Sequence, residues 1–184
     1  MISDEKSKYK SWSNLKKQMN ALLCDTLKDK ITYFYTSYRE VHDTYGRATI
    51  NYNKNEVVAF SWNMRYEQWD DEYKILNDND VDIQHLRSLS AVWETQKQIQ
   101  YDLMKEKWMP QCTLCEGDFI NAVTCYLKTD VTLALHSDNY ILRIFAYMDR
   151  RIGKRTLIKI KEEVEALPAW VKQFYRIRCE AEEL

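Results

Sequence analysis

Two cysteines, Cys112 and Cys115, have the Cys-x-x-Cys spacing found in zinc sites and in redox pairs. A structural zinc ion needs about four ligands, usually from a second such pair or from histidines at set spacing. The three histidines, His42, His85 and His136, lie far from one another in the sequence. A redox pair needs a site that stabilises a thiolate, and the βαβ pattern of thioredoxin-like proteins is missing. The favoured interpretation is two small apolar side chains packed under a loop, with no metal and no cofactor.

Carboxylates are dense between residues 67 and 82. Asp78, Asp80 and Asp82 alternate like the start of a calcium loop, which requires a glycine at the sixth position and a glutamate at the twelfth. Those positions hold Ile83 and Leu89, so the motif fails. Two interpretations remain: a solvated helix face with a polar turn, or an acidic surface that binds a basic partner. The residues assigned to that surface are Glu67, Asp70, Asp71, Glu72, Asp78, Asp80 and Asp82.

An aromatic stripe runs through the same region. Trp62, Tyr66, Trp69 and Tyr73 recur at helical spacing and could stack nucleic-acid bases, because every base presents a π face. Base-stacking proteins surround such rings with lysine and arginine, whereas carboxylates that repel phosphate flank this stripe. We therefore expect the four rings to pack in the core.

Four basic residues crowd a turn near the carboxyl end: Arg150, Arg151, Lys154 and Arg155. Arginines in the last turn of a helix suit its dipole, but cations at the start of the next helix oppose it. An ion pair to the adjacent Asp149 explains the charges as a structural brace. Contact with a phosphate or RNA, and docking of a protein, remain as alternatives for this basic hinge.

No catalytic motif stands out. The chain has no Gly-x-Ser-x-Gly, no phosphate-binding loop, no dinucleotide fingerprint and no His-Glu-x-x-His. Its paired carboxylates belong to acidic runs. A concave pocket that encloses a histidine with carboxylate support would be the first sign of an enzyme.

Composition favours helix. The 184 residues include 3 glycines and 2 prolines, too few for a loop-rich all-β fold. The net charge of -1 gives no overall attraction to nucleic acid or to an anionic membrane. The five cysteines are odd in number, and we find neither a signal peptide nor a membrane span, so we expect a cytoplasmic protein with reduced thiols.

Periodicity predicts an α+β fold: an N-terminal helix with a small antiparallel sheet of about three strands, then a mainly helical lobe. The helix is expected at 13–27 with Ser13 as its cap, and the strands at 31–38, 47–52 and 56–60. A helix follows Ser61, a longer one covers about 83–108 and ends at Pro110, and a C-terminal helical hairpin turns at Gly153. We predict a single domain, 1–184, with lobes at 12–61 and 62–184.

Several segments resemble an uncharacterised family of small bacterial cytoplasmic proteins. They are SWSNLKKQ at residues 11–18, the end of the aromatic strand at 36–39, the Gly46-Arg47 turn, DRRIGKR at 149–155 and FYRIRCEAE at 174–182. The resemblance implies a cytoplasmic bacterial protein and supplies no catalytic residues.

The leading hypothesis is a non-enzymatic protein-binding module, of the immunity or antitoxin type, that neutralises a toxin domain through its acidic surface. A regulator associated with RNA or DNA through the basic hinge is one alternative. An unrecognised enzyme is the other.

Overall fold

The structure is a computed structural model that describes residues 11–37, 45–78 and 89–184. Its first elements are α1 (Trp12–Leu22), a 3₁₀ turn (Asp25–Leu27), β1 (Ile31–Thr36), β2 (Arg47–Tyr52) and β3 (Asn55–Ser61). Next come α2 (Asn63–Asp78), α3 (Leu89–Leu103), a π-helix (Met104–Trp108) and α4 (Met109–Gln111). The remaining helices are α5 (Glu116–Tyr126), α6 (Val131–Leu135), α7 (Tyr140–Met148), α8 (Lys154–Lys159), α9 (Lys161–Glu165) and α10 (Ala169–Ala181). The predicted α+β architecture is confirmed.

The three strands form an antiparallel sheet in the order β1-β2-β3. Tyr33 pairs with Ile50, and Ile50 pairs with Val58, so three buried side chains cross one face of the sheet. Alternation along β1 leaves Phe34 on the opposite, exposed face. Helix α5 packs against all three strands, and α1 packs against β1 and α5. The sheet therefore holds α5 in place beside α2.

Helix α7 lies at the centre of the helical part. The Asn139 side chain accepts hydrogen bonds from the backbone N–H groups of Ile141 (3.0 Å) and Leu142 (3.4 Å), which caps the first turn. Every residue from Ile141 to Met148 is buried. Because its residues are apolar on every side except at Arg143, α7 can pack at once against α5, α6 and α10.

Several predicted boundaries differ from those observed. Ser11, not Ser13, is the N-cap of α1, and β1 ends at Thr36. The long helix does not end at Pro110, because the π-helix is followed directly by α4, which contains the proline. It ends instead at Cys112, whose φ of 59° lies in the left-handed region.

The hinge between α7 and α8 does not depend on a glycine. Gly153 has a φ of −91°, and a Cβ built there would meet nothing within 4 Å. The helix predicted to follow is broken at Ile160 into α8 and α9.

The backbone of the hinge pairs with the end of α1. Leu23 and Asp149 form an isolated antiparallel bridge. On either side, the Arg150 N–H donates to the Leu22 carbonyl at 2.8 Å and the Cys24 N–H donates to the Met148 carbonyl at 3.0 Å. The end of α1 is therefore joined to the hinge by backbone hydrogen bonds.

Candidate protein-binding surface

Helix α2 presents its aromatic residues to solvent. The exposed fractions are 52% for Tyr66, 44% for Trp69 and 65% for Tyr73, while Trp62 is half-buried. We call these four residues the aromatic face. The helix was predicted correctly, but the expectation that the stripe packs in the core is wrong for its three exposed rings.

Three rings of the aromatic face, those of Trp62, Tyr66 and Trp69, are ordered by contacts with one another. Trp62 and Trp69 meet edge to face with centroids 6.2 Å apart, and Tyr66 meets Trp69 edge to face at 5.6 Å. The Arg65 guanidinium lies 5.4 Å from the centroid of the Trp69 ring. Such contacts hold broad rings in one arrangement without burying them.

Polar groups occupy the inward side of α2. Gln68 is fully buried, and its amide nitrogen donates to the Thr113 carbonyl at 2.9 Å and to the Asp118 carboxylate at 3.0 Å. The amide oxygen of Gln68 accepts from Arg65 at 3.0 Å. The Asp118 carboxylate also accepts from the Cys115 N–H at 2.9 Å, so α2 is joined to the cap of α5.

Asp71 makes the second inward connection. Its carboxylate accepts from the Lys107 ammonium at 2.6 Å and from the Trp108 indole N–H at 2.9 Å. The π-helix carries both donors as consecutive residues. Burial alone would raise the pKa of Asp71, but the hydrogen bonds from Lys107 and Trp108 outweigh it and hold that pKa below its usual value.

These inward bonds explain the orientation of α2. Turning the helix to bury its rings would expose Asp71 and Gln68 and leave the Trp108 N–H and the Thr113 carbonyl without these partners. A buried polar group without a partner costs about 1–3 kcal/mol. The polar network therefore keeps the aromatic face outward.

The structure divides the predicted acidic residues among different surroundings. Glu67 and Asp70 are exposed on α2, and Asp70 pairs with Lys74 at 2.5 Å. Asp71 points inward, and Glu72 is half-buried and accepts from Gln100 at 3.0 Å. Asp78 is the last residue of α2, while Asp80 and Asp82 lie outside the described residues. Glu67 and Asp70 are the two carboxylates that the structure places beside the aromatic face.

The basic hinge contains a buried acid. Asp149 is 1% exposed and accepts from the Tyr126 hydroxyl at 2.6 Å. Arg151 donates to both of its oxygens, from Nε at 3.0 Å and from a terminal nitrogen at 2.7 Å. These hydrogen bonds raise the pKa of Arg151, and burial together with Asp149 raises the pKa of Tyr126. Arg151 thus forms the brace that the sequence suggested as one alternative.

The other hinge cations behave differently. Lys154 donates to the Glu182 carbonyl at 2.5 Å, which ties α8 to the end of α10. Arg150 and Arg155 are exposed, and within the described residues their side chains form no hydrogen bond or ion pair. Two of the four cations therefore serve the fold, and two face solvent.

Arg178 is a hinge residue that sequence reasoning missed. It is 2% exposed and donates to three backbone carbonyls, those of Tyr147 (3.2 Å), Asp149 (3.1 Å) and Ile152 (2.8 Å). Its Nε lies 3.1 Å from a Glu182 oxygen. The available signal was an arginine on the apolar side of a helix with a glutamate four residues later.

In the Cys-x-x-Cys pair, Cys112 ends α4, and Cys115 is the N-cap of α5. Burial raises the pKa of Cys112 and the pKa of Cys115 to about 12, so neither thiol ionises readily. Among the described residues, no group of three or more His, Cys, Asp or Glu side chains could hold a metal ion. These observations agree with packing as the role of the pair.

Glu116, at the start of α5, is buried beneath Gly46. It is 4% exposed, and one carboxylate oxygen has no hydrogen-bond partner within the structure. Burial raises the pKa of this carboxyl. A Cβ on residue 46 would clash with the glutamate, so Gly46 is required for close approach rather than for its φ.

One histidine has carboxylate support. His136 Nδ1 lies 2.9 Å from Glu163, and Arg143 donates to the same carboxylate at 2.6 Å. The imidazole is exposed, with 55% of its side chain accessible, and it lines neither the cavity beside Trp12 and Ile120 nor the one beside Ile158 and Tyr175. Through Glu163, these contacts join α9 to α7 and to the residue that follows α6 at the surface.

The chain matches the SF0329 protein family over residues 11–179. It belongs to that family. The match includes α2, the hinge and most of α10. Searches of curated proteins and of solved structures returned no match to the chain. In the described parts of this SF0329 family member, no helix is both long enough and apolar enough to span a membrane.

Proposed function

We propose that this SF0329 family member is a cytoplasmic, non-enzymatic module that binds a basic protein through the outer side of α2. The docking surface consists of the aromatic face together with Glu67 and Asp70. The observation that carries the proposal is the outward orientation of the rings, held by buried hydrogen bonds at Gln68 and Asp71.

The chemistry of this surface suits a protein partner. Tyrosine and tryptophan are over-represented among the residues that dominate binding energy at protein interfaces, and ordered rings lose little conformational entropy on binding. The exposed rings on α2 fit that role because contacts between neighbouring rings hold them in position. An isolated ring on a surface lacks such contacts.

Charge favours a basic partner. Glu67 forms no side-chain hydrogen bond or ion pair within the described residues, and the Asp70 carboxylate is shared with one exposed lysine. A lysine or arginine on the partner can pair with these carboxylates and lie over the face of a neighbouring ring. Phosphate groups would be repelled by the same carboxylates. We therefore favour a protein over a nucleic acid.

Neutralisation of a toxin is the specific form of this function that we propose. A toxin domain that cleaves nucleic acid needs a cationic active surface, and an acidic aromatic helix that covers it blocks access of the substrate. The proposed function requires no catalytic group on this chain.

Comparative affinity capture from the source cells tests the proposal. The bait variants are Trp69→Ala with Tyr73→Ala, and Glu67→Lys with Asp70→Lys. Matched controls are Phe34→Ala, an exposed ring on the sheet, and Glu162→Lys with Glu180→Lys, two exposed glutamates outside α2. We expect basic proteins to be captured by the wild type and by both controls, and to be lost from both α2 variants.

The same proteins captured equally by every bait would overturn the proposal. The toxin form is then tested by expressing each captured protein alone and together with the wild type or the α2 variants. Growth arrest that the wild type relieves and the α2 variants do not relieve supports it. If no α2-dependent partner arrests growth, neutralisation is wrong and only the binding function stands.

A further inference from the structure

A groove between α1 and α5 is separate from the α2 surface. Its volume is about 930 Å³, within the range of roughly 300–1,000 Å³ typical of ligand sites. Trp12 and Leu15 form one wall, Ile120 and Leu127 form the other, and Tyr35 lies between them. Trp12 and Leu15 belong to α1, whereas Ile120 lies on α5 and Leu127 directly follows that helix.

The walls leave apolar surface in contact with solvent. Trp12, Tyr35, Ile120 and Leu127 are each half-buried, and all four line the groove. The Trp12 ring packs against Tyr35 at 5.4 Å and edge to face against Phe119 at 6.0 Å. The tryptophan wall is therefore already formed before any ligand arrives.

Most polar groups along the groove are occupied. The Gln18 amide donates to the Asn14 side chain at 3.1 Å, and the Thr124 hydroxyl donates to the Ile120 carbonyl at 2.9 Å. Lys128 lines the groove just beyond the end of α5, is exposed, and forms no ion pair within the described residues. No carboxylate is found among the described residues that line the groove. The site thus combines an apolar channel with one uncompensated cation.

We propose that this groove binds a single-chain anionic amphiphile of the fatty-acid class. The carboxylate pairs with the Lys128 ammonium, and the hydrocarbon chain follows Leu127 and Ile120 toward Trp12. Residues 120 and 127 are separated by roughly 10 Å along α5, given a rise of about 1.5 Å per residue, so a straight chain contacts both. The inference does not rest on the proposed function of α2.

Calorimetric titration of the full chain with octanoate, decanoate and dodecanoate, each below its micelle concentration, tests the proposal. Each added methylene that the groove buries should increase affinity about fourfold until the channel is filled. Lys128→Glu should weaken dodecanoate binding at least tenfold, which corresponds to loss of one charge-assisted contact. Lys159→Glu makes the same charge change at an exposed lysine outside the groove and should leave affinity unchanged.

A second variant tests the channel without touching the charge. Asn121 is an exposed residue at the groove, so Asn121→Trp can place a ring in the channel while the fold is retained. Circular dichroism checks that fold, and dodecanoate binding should fall at least tenfold. Dodecyltrimethylammonium should bind at least tenfold more weakly than dodecanoate, because its cation meets Lys128.

Several results would overturn the proposal. One is the absence of any heat of binding with dodecanoate. Another is equal affinity for dodecanoate and dodecyltrimethylammonium, and a third is equal affinity of Lys128→Glu and the wild type for dodecanoate. Binding to vesicles that contain phosphatidylglycerol without binding to monomeric dodecanoate would assign the groove to a membrane surface and would also overturn it.

Discussion

The Tyr126 hydroxyl donates a hydrogen bond of 2.6 Å to the buried Asp149 carboxylate. The contact links the end of α5 to the turn after α7, and it leaves the same carboxylate available to Arg151. Asp149 is therefore the acceptor on which the hinge depends.

Replacing Asp149 should destabilise the protein strongly. Asp149→Ala removes the acceptor for the buried Tyr126 hydroxyl and for the exposed Arg151, and each lost hydrogen bond to a charged group typically costs about 1.5–3 kcal/mol. Urea unfolding followed by circular dichroism measures the change in the free energy of unfolding. Asp138→Ala, at an exposed aspartate, is the control and should change stability by less than about 0.5 kcal/mol. Equal effects of the two substitutions would contradict the brace.

Asp71 should make stability depend on pH in the acid range. Its folded-state pKa is lowered by Lys107 and Trp108, so its contribution is fully present above the unfolded pKa of about 3.9. The contribution disappears as pH falls through the lower, folded-state pKa. We expect Asp71→Asn to cost about 1–3 kcal/mol at pH 7 and progressively less below about pH 4. A difference between wild type and variant that stays constant from pH 7 to pH 3 would contradict this assignment.

Gly46→Ala should destabilise through a clash with Glu116. The new Cβ would lie 2.6 Å from Cδ and 2.9 Å from Cγ of the glutamate, and overpacking of this kind costs about 1–3 kcal/mol. Glu116→Ala removes the clashing atoms, so the double variant should be more stable than the sum of the single effects predicts.

Gly117→Ala is the matched control for Gly46. Its Cβ would meet only Cys115 Sγ, at 3.4 Å, and alanine suits a helix better than glycine. This substitution should stabilise the protein by about 0.5–1 kcal/mol. For Gly46→Ala combined with Glu116→Ala, a change in the free energy of unfolding equal to the sum of the two single changes would show that the clash is absent.

The cysteines should differ in reactivity. With a pKa of about 12, Cys112 and Cys115 are ionised in only roughly one molecule in 10⁴ at pH 8, whereas Cys125 is exposed. Ellman's reagent at pH 8 should therefore modify Cys125 much faster than the pair, and peptide mapping identifies each site. In denaturant all five thiols should react at similar rates. Rapid labelling of the pair in the native protein, or its oxidation to a disulfide, would contradict a packing role.

Local sequence patterns predicted most of the secondary structure because strands and helices differ in their period. They predicted the sheet from alternation at residues such as Tyr33 and Ile50, and the helix that carries Trp69 from its spacing. They did not predict which side of that helix faces inward. The deciding partners of Gln68 and Asp71 are Thr113 and Trp108, which are distant in sequence and close only after folding.

The same limit applies to the hinge. The pairing of Arg151 with Asp149 is local and was among the alternatives that the sequence left open. The role of Arg178 was not predicted, because its three carbonyl acceptors belong to the turn after α7 and to no motif around Arg178 itself. The spacing of residues in the sequence identifies candidates, but their roles depend on contacts with residues that are distant in sequence.

The backbone bridge between Leu23 and Asp149 bears on how the chain folds during synthesis. Ribosomes add roughly 5–20 residues per second, so the end of α1 leaves the exit tunnel several seconds before its hydrogen-bond partner exists. The hinge is missing throughout that interval, and α5 (Glu116–Tyr126), which also packs against α1, is missing for most of it. Completion of the native structure must therefore wait until the hinge has been synthesised, and α1 can be bound by chaperones until then.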